Sequence, residues 1–507
     1  MHTLNHSSSV RKTATQPWWG QRLFRCFSHL SPYTLGIIAS CIIMLSSFGA
    51  GATRNHGGIL DRFGLNFFTF GHGSLICNVF LWIGIFLFVI AWLVLGRNLI
   101  HRNIEFPVTK IYRIMLWWVF PLSFASPLMS RDVYSYLMQG KLLEKGFDPY
   151  TQGAAANPGV YLVEVSPDWR NTTTPYGPLH LYLGSLITRV VGDNLTLGLF
   201  LFKIISLAGF ALIAFSIARI ALLFNVQPSY ALWIGVLNPV VVFHLVGGMH
   251  NESVMVGLVS LGIYLALKNN LYLGIVIISI AMALKATAAL ALPFLIWLAV
   301  LRRDNLRQKI LAFFISSITG VFLCLATLYI ITMLSGATWG WIAELTGNTK
   351  VINPLAFPSF LSGIISSIFS VWIPDFPYNK VLAVIRLVSM AFLLIGVIAS
   401  WIYFRTSKLA ILRGVTVAYC CVFIFNSVTL PWYYASILTL FGVIHAPKWA
   451  KKLIIGFSII IALSFTGGGN HQFYQPLWMI IVSILACWAV HWIFLTPYKH
   501  QGQQTTG

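Results

Sequence analysis

Asp132 is the residue best suited to acid–base chemistry, because carboxylates are so scarce in this chain. Only 12 Asp and Glu occur among 507 residues, and five lie between Ser130 and Pro178, in SRDVYSYLMQGKLLEKGFDPYTQGAAANPGVYLVEVSPDWRNTTTPYGP. Acids kept in so apolar a chain mark a functional loop. Asp132 opens the amphipathic segment DVYSYLMQGKLLEKG, where a carboxylate could deprotonate an alcohol as a general base. The competing use is structural: Ser130 caps the segment and Asp132 sits in its first turn, where negative charge is favoured.

The neighbouring residues suggest what that alcohol would meet. Arg131 could grip a lipid phosphate or simply snorkel to the interface. Tyr134, Tyr136 and Tyr150 read as interface aromatics, rings that also stack on sugars. In SPDWRNTTTPYGPLH, Pro167, Pro175, Gly177 and Pro178 force a rigid, turn-rich path that projects Trp169, Arg170, Asn171 and Tyr176 as a binding surface. In GGMHNES, His250, Asn251 and Glu252 lie between two apolar runs, although Glu252 could serve only as a helix cap. Lys285 interrupts the apolar run AMALKATAAL, a suitable place for a phosphate ligand, or for an ordinary turn lysine. Asp132, His250 and Glu252 together could bind a divalent metal, but three candidates without cysteine make a poor set, so no metal or other cofactor is expected.

The elements that must hold these residues are membrane helices. With 58% hydrophobic and 9% charged residues and a mean hydropathy of +0.80, the chain is no soluble globular domain. Apolar runs near the roughly 20 residues of a spanning helix recur throughout, and the alternating strands of a membrane barrel are absent. The net charge of +21 comes from Arg and Lys at the ends of apolar runs, such as Arg302, Arg303, Arg307 and Lys309. That is the pattern of cytoplasmic loops with some attraction to anionic lipid, not a nucleic-acid surface. None of the seven cysteines falls in the acidic loop, and no spacing suggests a disulfide or metal framework.

Spans are predicted near 33–50, 74–96, 111–128, 195–218, 231–247, 253–267, 271–284, 287–301, 310–334, 381–404, 409–428, 433–447, 453–466 and 476–496. The fold class is thus an all-α integral membrane bundle of about 12–14 transmembrane helices. Residues 1–32 and 497–507 form cytoplasmic tails around a single transmembrane domain, 33–496. Residues 129–194 and 335–380 are its large outer loops, the first of them catalytic. The stretch 178–194 is read as an interfacial helix, since a crossing there would move every later basic cluster outside. This topology brings 129–194, His250, Lys285, 335–380 and Gly467–Gln475 to one face of the membrane. Arg54 and Arg62 fit it poorly, because they place positive charge in an outer loop.

One outer-face carboxylate, several cations and carbohydrate-type aromatics suit transfer of a sugar from a polyprenyl phosphate, the cations stabilising the leaving phosphate. The segments RDVYSYLMQGKLLEKGFDPYTQG, SPDWRNTTTPYGPLH, NPVVVFHLVGGMHNES and LKATAALALP resemble those of the actinobacterial α-(1→6)-mannopyranosyltransferases, membrane glycosyltransferases of the GT-C fold. The length is more similar to the A-type enzymes than to the longer B-type. The resemblance implies a plasma-membrane, multi-pass enzyme with an extracytoplasmic active site. Its donor would be polyprenyl-phosphate-mannose and its acceptor the lipid-anchored α-(1→6)-mannan of lipomannan and lipoarabinomannan precursors, with inversion at the anomeric carbon. It also implies that Asp132 is the catalytic acid of the first outer loop. Many GT-C enzymes carry two adjacent acids there, and Arg131 replaces one of them, which argues against a carboxylate-bridged metal. The alternatives are another lipid-phosphate-sugar glycosyltransferase, a lipid-linked sugar flippase or transporter, or a non-catalytic scaffold.

Overall fold

A computed structural model describes residues 31–101, 106–347 and 352–495. Nearly all of the two terminal tails lies outside the described residues. Among the described residues the chain is helical, and its one pairing of extended backbone is an isolated bridge between Phe465 and His471. Seven helices are long and apolar enough to cross a membrane, or eight if one bent pair counts as a single span. The long ones are α1 (Pro32–Ala50), α2 (Gly71–His101), α6 (Leu195–Leu223), α12 (Leu306–Ser335), α14 (Tyr378–Tyr403), α15 (Lys408–Phe425) and α18 (Pro476–Phe494). Between them in the chain lie α3 (Val108–Leu122), α4 (Asp132–Glu144) and α5 (Pro178–Val191). The bent pair is α7 (Pro228–Val236) and α8 (Pro239–Gly247), meeting at 55°. Shorter apolar helices follow: α9 (Glu252–Leu267), α10 (Leu271–Leu284), α11 (Ala286–Val300) and α13 (Phe357–Phe369). A tight turn, Pro431–Tyr434, leads into α16 (Ala435–Phe441), and α17 (Lys448–Ala462) precedes α18.

Most of the fourteen predicted segments are therefore helices, but fewer reach full spanning length. The reason is local chemistry. Pro121 lies in the last turn of α3, Pro239 breaks α7 from α8, and Lys285 separates α10 from α11 in extended conformation. Proline removes a helix donor, and a charge favours a helix end over an apolar interior. The 14 residues of α5 reach only about 21 Å, short of a hydrocarbon core of about 30 Å, as expected for 178–194.

The bundle interior is built around large rings. Trp92 and Trp233 stack with centroids 5.3 Å apart, and each indole N–H donates to the other's carbonyl, at 3.0 and 2.8 Å. Burying an indole is costly unless its N–H finds a partner, so this reciprocal pair locks α2 against α7. By contrast α12 and α14 present exposed Ile318, Phe322, Leu387 and Ile395, as suits helices whose outer faces meet lipid tails.

Candidate active site

The site is assembled by helix ends. Arg131 holds the N-cap position of α4, and the Ser130 hydroxyl just before it accepts the Asp132 N–H at 3.0 Å, fixing the first residue of the helix. From there Asp132, Ser135, Tyr136 and Gln139 recur at helical spacing along one face of α4, and all four line a cleft of about 60 Å³. The opposite wall comes from Trp169, Thr172, Thr173, Pro175 and Tyr176, and the roof from Val428, Leu430 and Tyr433. Helices α4 and α5 can approach only because both carry glycine at the crossing. A Cβ on Gly140 would lie 2.1 Å from the Gly184 carbonyl carbon. The TPYG turn is fixed by its Gly177 N–H, which donates to the Leu284 carbonyl at 3.1 Å and sets Tyr176 beside Lys285.

Around Asp132 the polar groups form two linked networks. Tyr136 Oη lies 3.4 Å from Asp132 Oδ2 and 3.3 Å from His250 Nδ1, while His250 Nδ1 is 3.6 Å from the same carboxylate oxygen. Both tyrosine contacts are satisfied when His250 carries its proton on Nδ1 and donates to Tyr136, whose own proton goes to Asp132. The imidazole is clamped face to face on Trp432, with ring centroids 3.5 Å apart. In the second network Asn251 Nδ2 meets His180 Nδ1 at 3.2 Å, and His180 Nε2 meets Gln139 Oε1 at 3.1 Å. Glu252, 0% exposed, forms an ion pair with Lys285, whose ammonium stands 3.9 Å above the Tyr433 ring and 5.4 Å from the centre of Tyr176.

These surroundings set the charges. Burial raises the Asp132 carboxyl, and Glu252 adds to that. Hydrogen bonds from Ser130 and Tyr136 and the charge of Lys285 oppose it, leaving the group at about 6. Burial holds His250 well below the usual histidine range, helped by His244 and Lys285, and pushes His180 down to about 3. Both rings are neutral near pH 7. Burial alone would lower Lys285, but Glu252 reverses the direction and the ammonium is held above its ordinary value. The centre thus combines the raised Asp132 carboxyl, the ion-paired Lys285 cation and neutral imidazoles.

The structure sorts the expected site residues. Asp132, Trp169 and Tyr176 line the cleft, and His250, Asn251, Glu252 and Lys285 support it from behind. Arg131, considered for a phosphate, is fully engaged elsewhere: its guanidinium pairs with Glu164 at 2.9 Å and donates to the Glu164 and Thr53 carbonyls. Tyr134 donates to the Ala52 carbonyl at 2.8 Å on the other face of α4. Arg170 pins its own loop through the Val165 and Val163 carbonyls, and Asn171 is exposed outside the cleft. Glu252 opens α9, yet its carboxylate turns to Lys285 instead of acting only as a cap. Among the described residues no group of three or more His, Cys, Asp or Glu side chains is placed to hold a metal ion.

The acid concentration itself has a partly structural explanation. Glu164 accepts the Asn55 and His56 N–H groups and pairs with Arg131. Glu144 pairs with Lys141, Asp148 accepts from Tyr150 N–H and Thr338, and Asp168 accepts from Ser166. Of the five loop acids, Asp132 is the one that lines the cleft. Gln139, His180, Trp432 and Tyr433 were missed. The spacing Asp132–Ser135–Tyr136–Gln139 was visible as a helix face, and PWYY stands out at the edge of an apolar run. Their convergence on Asp132 depends on tertiary packing.

The fold and cleft define a multi-pass membrane protein with a polar site, its cleft lined by the Asp132 carboxylate, at one end of its bundle. The chain belongs to the α-(1→6)-mannopyranosyltransferase family, whose N-terminal domain model matches residues 33–302, and an MptB C-terminal domain model matches 361–496. It is 49% identical to α-(1→6)-mannopyranosyltransferase A of Corynebacterium glutamicum, over 89% of this chain and 96% of that one. It is 33% identical to α-(1→6)-mannopyranosyltransferase A of Mycobacterium tuberculosis, over 100% of this chain and 99% of the relative. The B enzyme of C. glutamicum is 24% identical, over 75% of this chain and 66% of its own length. The A-type resemblance read from chain length agrees with these identities.

Proposed function

We propose that this chain is an inverting α-1,6-mannosyltransferase of the plasma membrane. It uses polyprenyl-phosphate-mannose to extend the α-(1→6)-mannan of lipomannan and lipoarabinomannan precursors at the extracytoplasmic face. The observation that carries the reading is Asp132 standing in a cleft walled by Trp169, Tyr176 and Tyr433, with Lys285 held over the two tyrosine rings. Aromatic walls suit pyranose rings, and a cation suits the phosphate that must depart.

In the proposed step the acceptor's 6-hydroxyl attacks the anomeric carbon of mannose. The new C–O bond forms as the bond from that carbon to the phosphate oxygen breaks, and the polyprenyl phosphate leaves with the electron pair. Asp132 takes the hydroxyl proton. Lys285 offsets the charge growing on the phosphate, and Glu252 keeps it protonated without changing position. Tyr136 and His250 hold the carboxylate, which sits only 14% exposed, in one orientation. Displacement from the face opposite the phosphate converts a β-linked donor into an α-linked product.

The test is reconstitution. Purified full-length protein in nanodiscs is given labelled polyprenyl-phosphate-mannose and a short α-(1→6)-mannoside. An extended acceptor carrying a new α-(1→6) bond is expected. Movement of the intact lipid-linked sugar across liposome membranes without transfer would instead support the flippase alternative.

A further inference from the structure

We propose that a second cavity, on the face of α4 opposite the cleft, binds a lipid phosphate, with Arg54 and Arg62 taking the phosphate and Phe124 and Phe200 its hydrocarbon. This cavity is about 840 Å³, within the size range of small-molecule sites. It shares α4 with the cleft but not a side chain: Tyr134 lines it, whereas Asp132 and Tyr136 line the cleft.

The wall chemistry selects an anionic amphiphile. Arg54, Arg62 and Lys203 contribute cations against the single acid Asp61, whose Oδ1 already accepts from Asn66 at 2.6 Å. Lys203 at the floor is spent, since its ammonium donates to the Leu122, Val246 and Gly247 carbonyls. Arg54 is shared: its Nε forms an ion pair with buried Glu164 at 3.6 Å without a hydrogen bond, and Nη1 donates to Thr196 at 3.1 Å, which holds the guanidinium at the cavity wall. Arg62 is exposed, and among the described residues no carboxylate lies within ion-pair distance of it. These are the two arginines that the charge rule would not place in an outer loop; Glu164 accounts for Arg54, and a phosphate ligand gives Arg62 a reason to be there.

The mouth of the cavity points to lipid as the source. The loop that carries both arginines exposes Phe63 at 73% and Phe70 at 63%, with Leu65 and Phe67 beside them. Such a loop lies in the bilayer interface, so the cavity opens sideways to the outer leaflet. Polyprenyl monophosphate and an anionic phospholipid share the chemistry that this wall would recognise.

Native mass spectrometry of the purified full-length protein, titrated separately with polyprenyl monophosphate, phosphatidylglycerol and uncharged polyprenol, tests the site. Two variants probe it: Arg62→Gln removes an exposed cation with no fold role, and Leu197→Trp fills the apolar wall. Each is expected to weaken adducts of one or both phosphate lipids by about tenfold or more. Loss for polyprenyl monophosphate alone names the carrier lipid, and loss for phosphatidylglycerol alone names a bilayer lipid. Binding of both that is unchanged in the two variants would overturn the proposal, as would equal retention of polyprenol. No turnover is required, so failure of the mannosyltransferase reading would leave this test intact.

Discussion

Asp132 can accept a proton only as the carboxylate, and its pKa is raised to about 6. The base form is therefore full above that value and lost below it. The transfer rate is expected to be flat at neutral pH and to fall about tenfold per unit below pH 6, measured with saturating donor. A flat profile down to pH 5 would remove Asp132 from the rate-determining proton transfer. The Glu252–Lys285 pair makes a separate prediction. Removing one partner strands a buried charge at a cost of about 3 kcal/mol, so Glu252→Gln and Lys285→Met should each lower the melting temperature. The double variant should recover part of that loss while remaining inactive. Equal melting for all four proteins would show that the pair is not coupled. At this scale much was legible: the scarcity of acids singled out Asp132, and the interrupted runs singled out Glu252 and Lys285. Arg131 misled because its type and position suit a phosphate, whereas its partner Glu164 is remote in sequence and only the fold brings them together.

The elements matter through where they end and how closely they cross. The α4–α5 crossing rests on Gly140 and Gly184, and a methyl group on Gly140 would have to displace backbone, not a flexible side chain. Gly140→Ala is expected to destabilise by about 1–3 kcal/mol and to lower activity, since Gln139 and His180 would be forced apart. Thermal unfolding and transfer assays on the same preparation check both, and an unchanged Tm would refute the close packing. Helix existence was readable from hydropathy, and so was the short 178–194 helix, from charge placement. Full lengths were not, because Pro239 and Lys285 interrupt helices inside runs that look continuous when only hydropathy is averaged. His180, Trp432 and Tyr433 escaped notice for a related reason: each looks ordinary in its own segment and becomes part of the site only when α5 and the Pro431–Tyr434 turn meet beside α4.

For the whole molecule, polar groups far apart in sequence gather at one end of the bundle. Thr173 bonds Glu344 and Thr338 bonds Asp148 across the two large loops, and the Met129 N–H donates to the Gly467 carbonyl at 2.7 Å. The parity argument from basic clusters had expected these segments to share a face, and it assigns that face to the outside. A cysteine placed at exposed Asn171 in a cysteine-free background should therefore react with a membrane-impermeant maleimide in intact cells. One placed at Arg303 should react only after permeabilisation. The reverse pattern would invert the topology and place the cleft in the cytoplasm. The most direct measurement compares mannose transfer by wild type and Asp132→Asn, purified at equal folded concentration, with polyprenyl-phosphate-mannose and an α-(1→6)-mannoside acceptor. A loss of about 10²-fold or more in kcat, with donor binding retained, is the expected result for a general base. Transfer at the wild-type rate by Asp132→Asn would contradict the role given to this carboxylate.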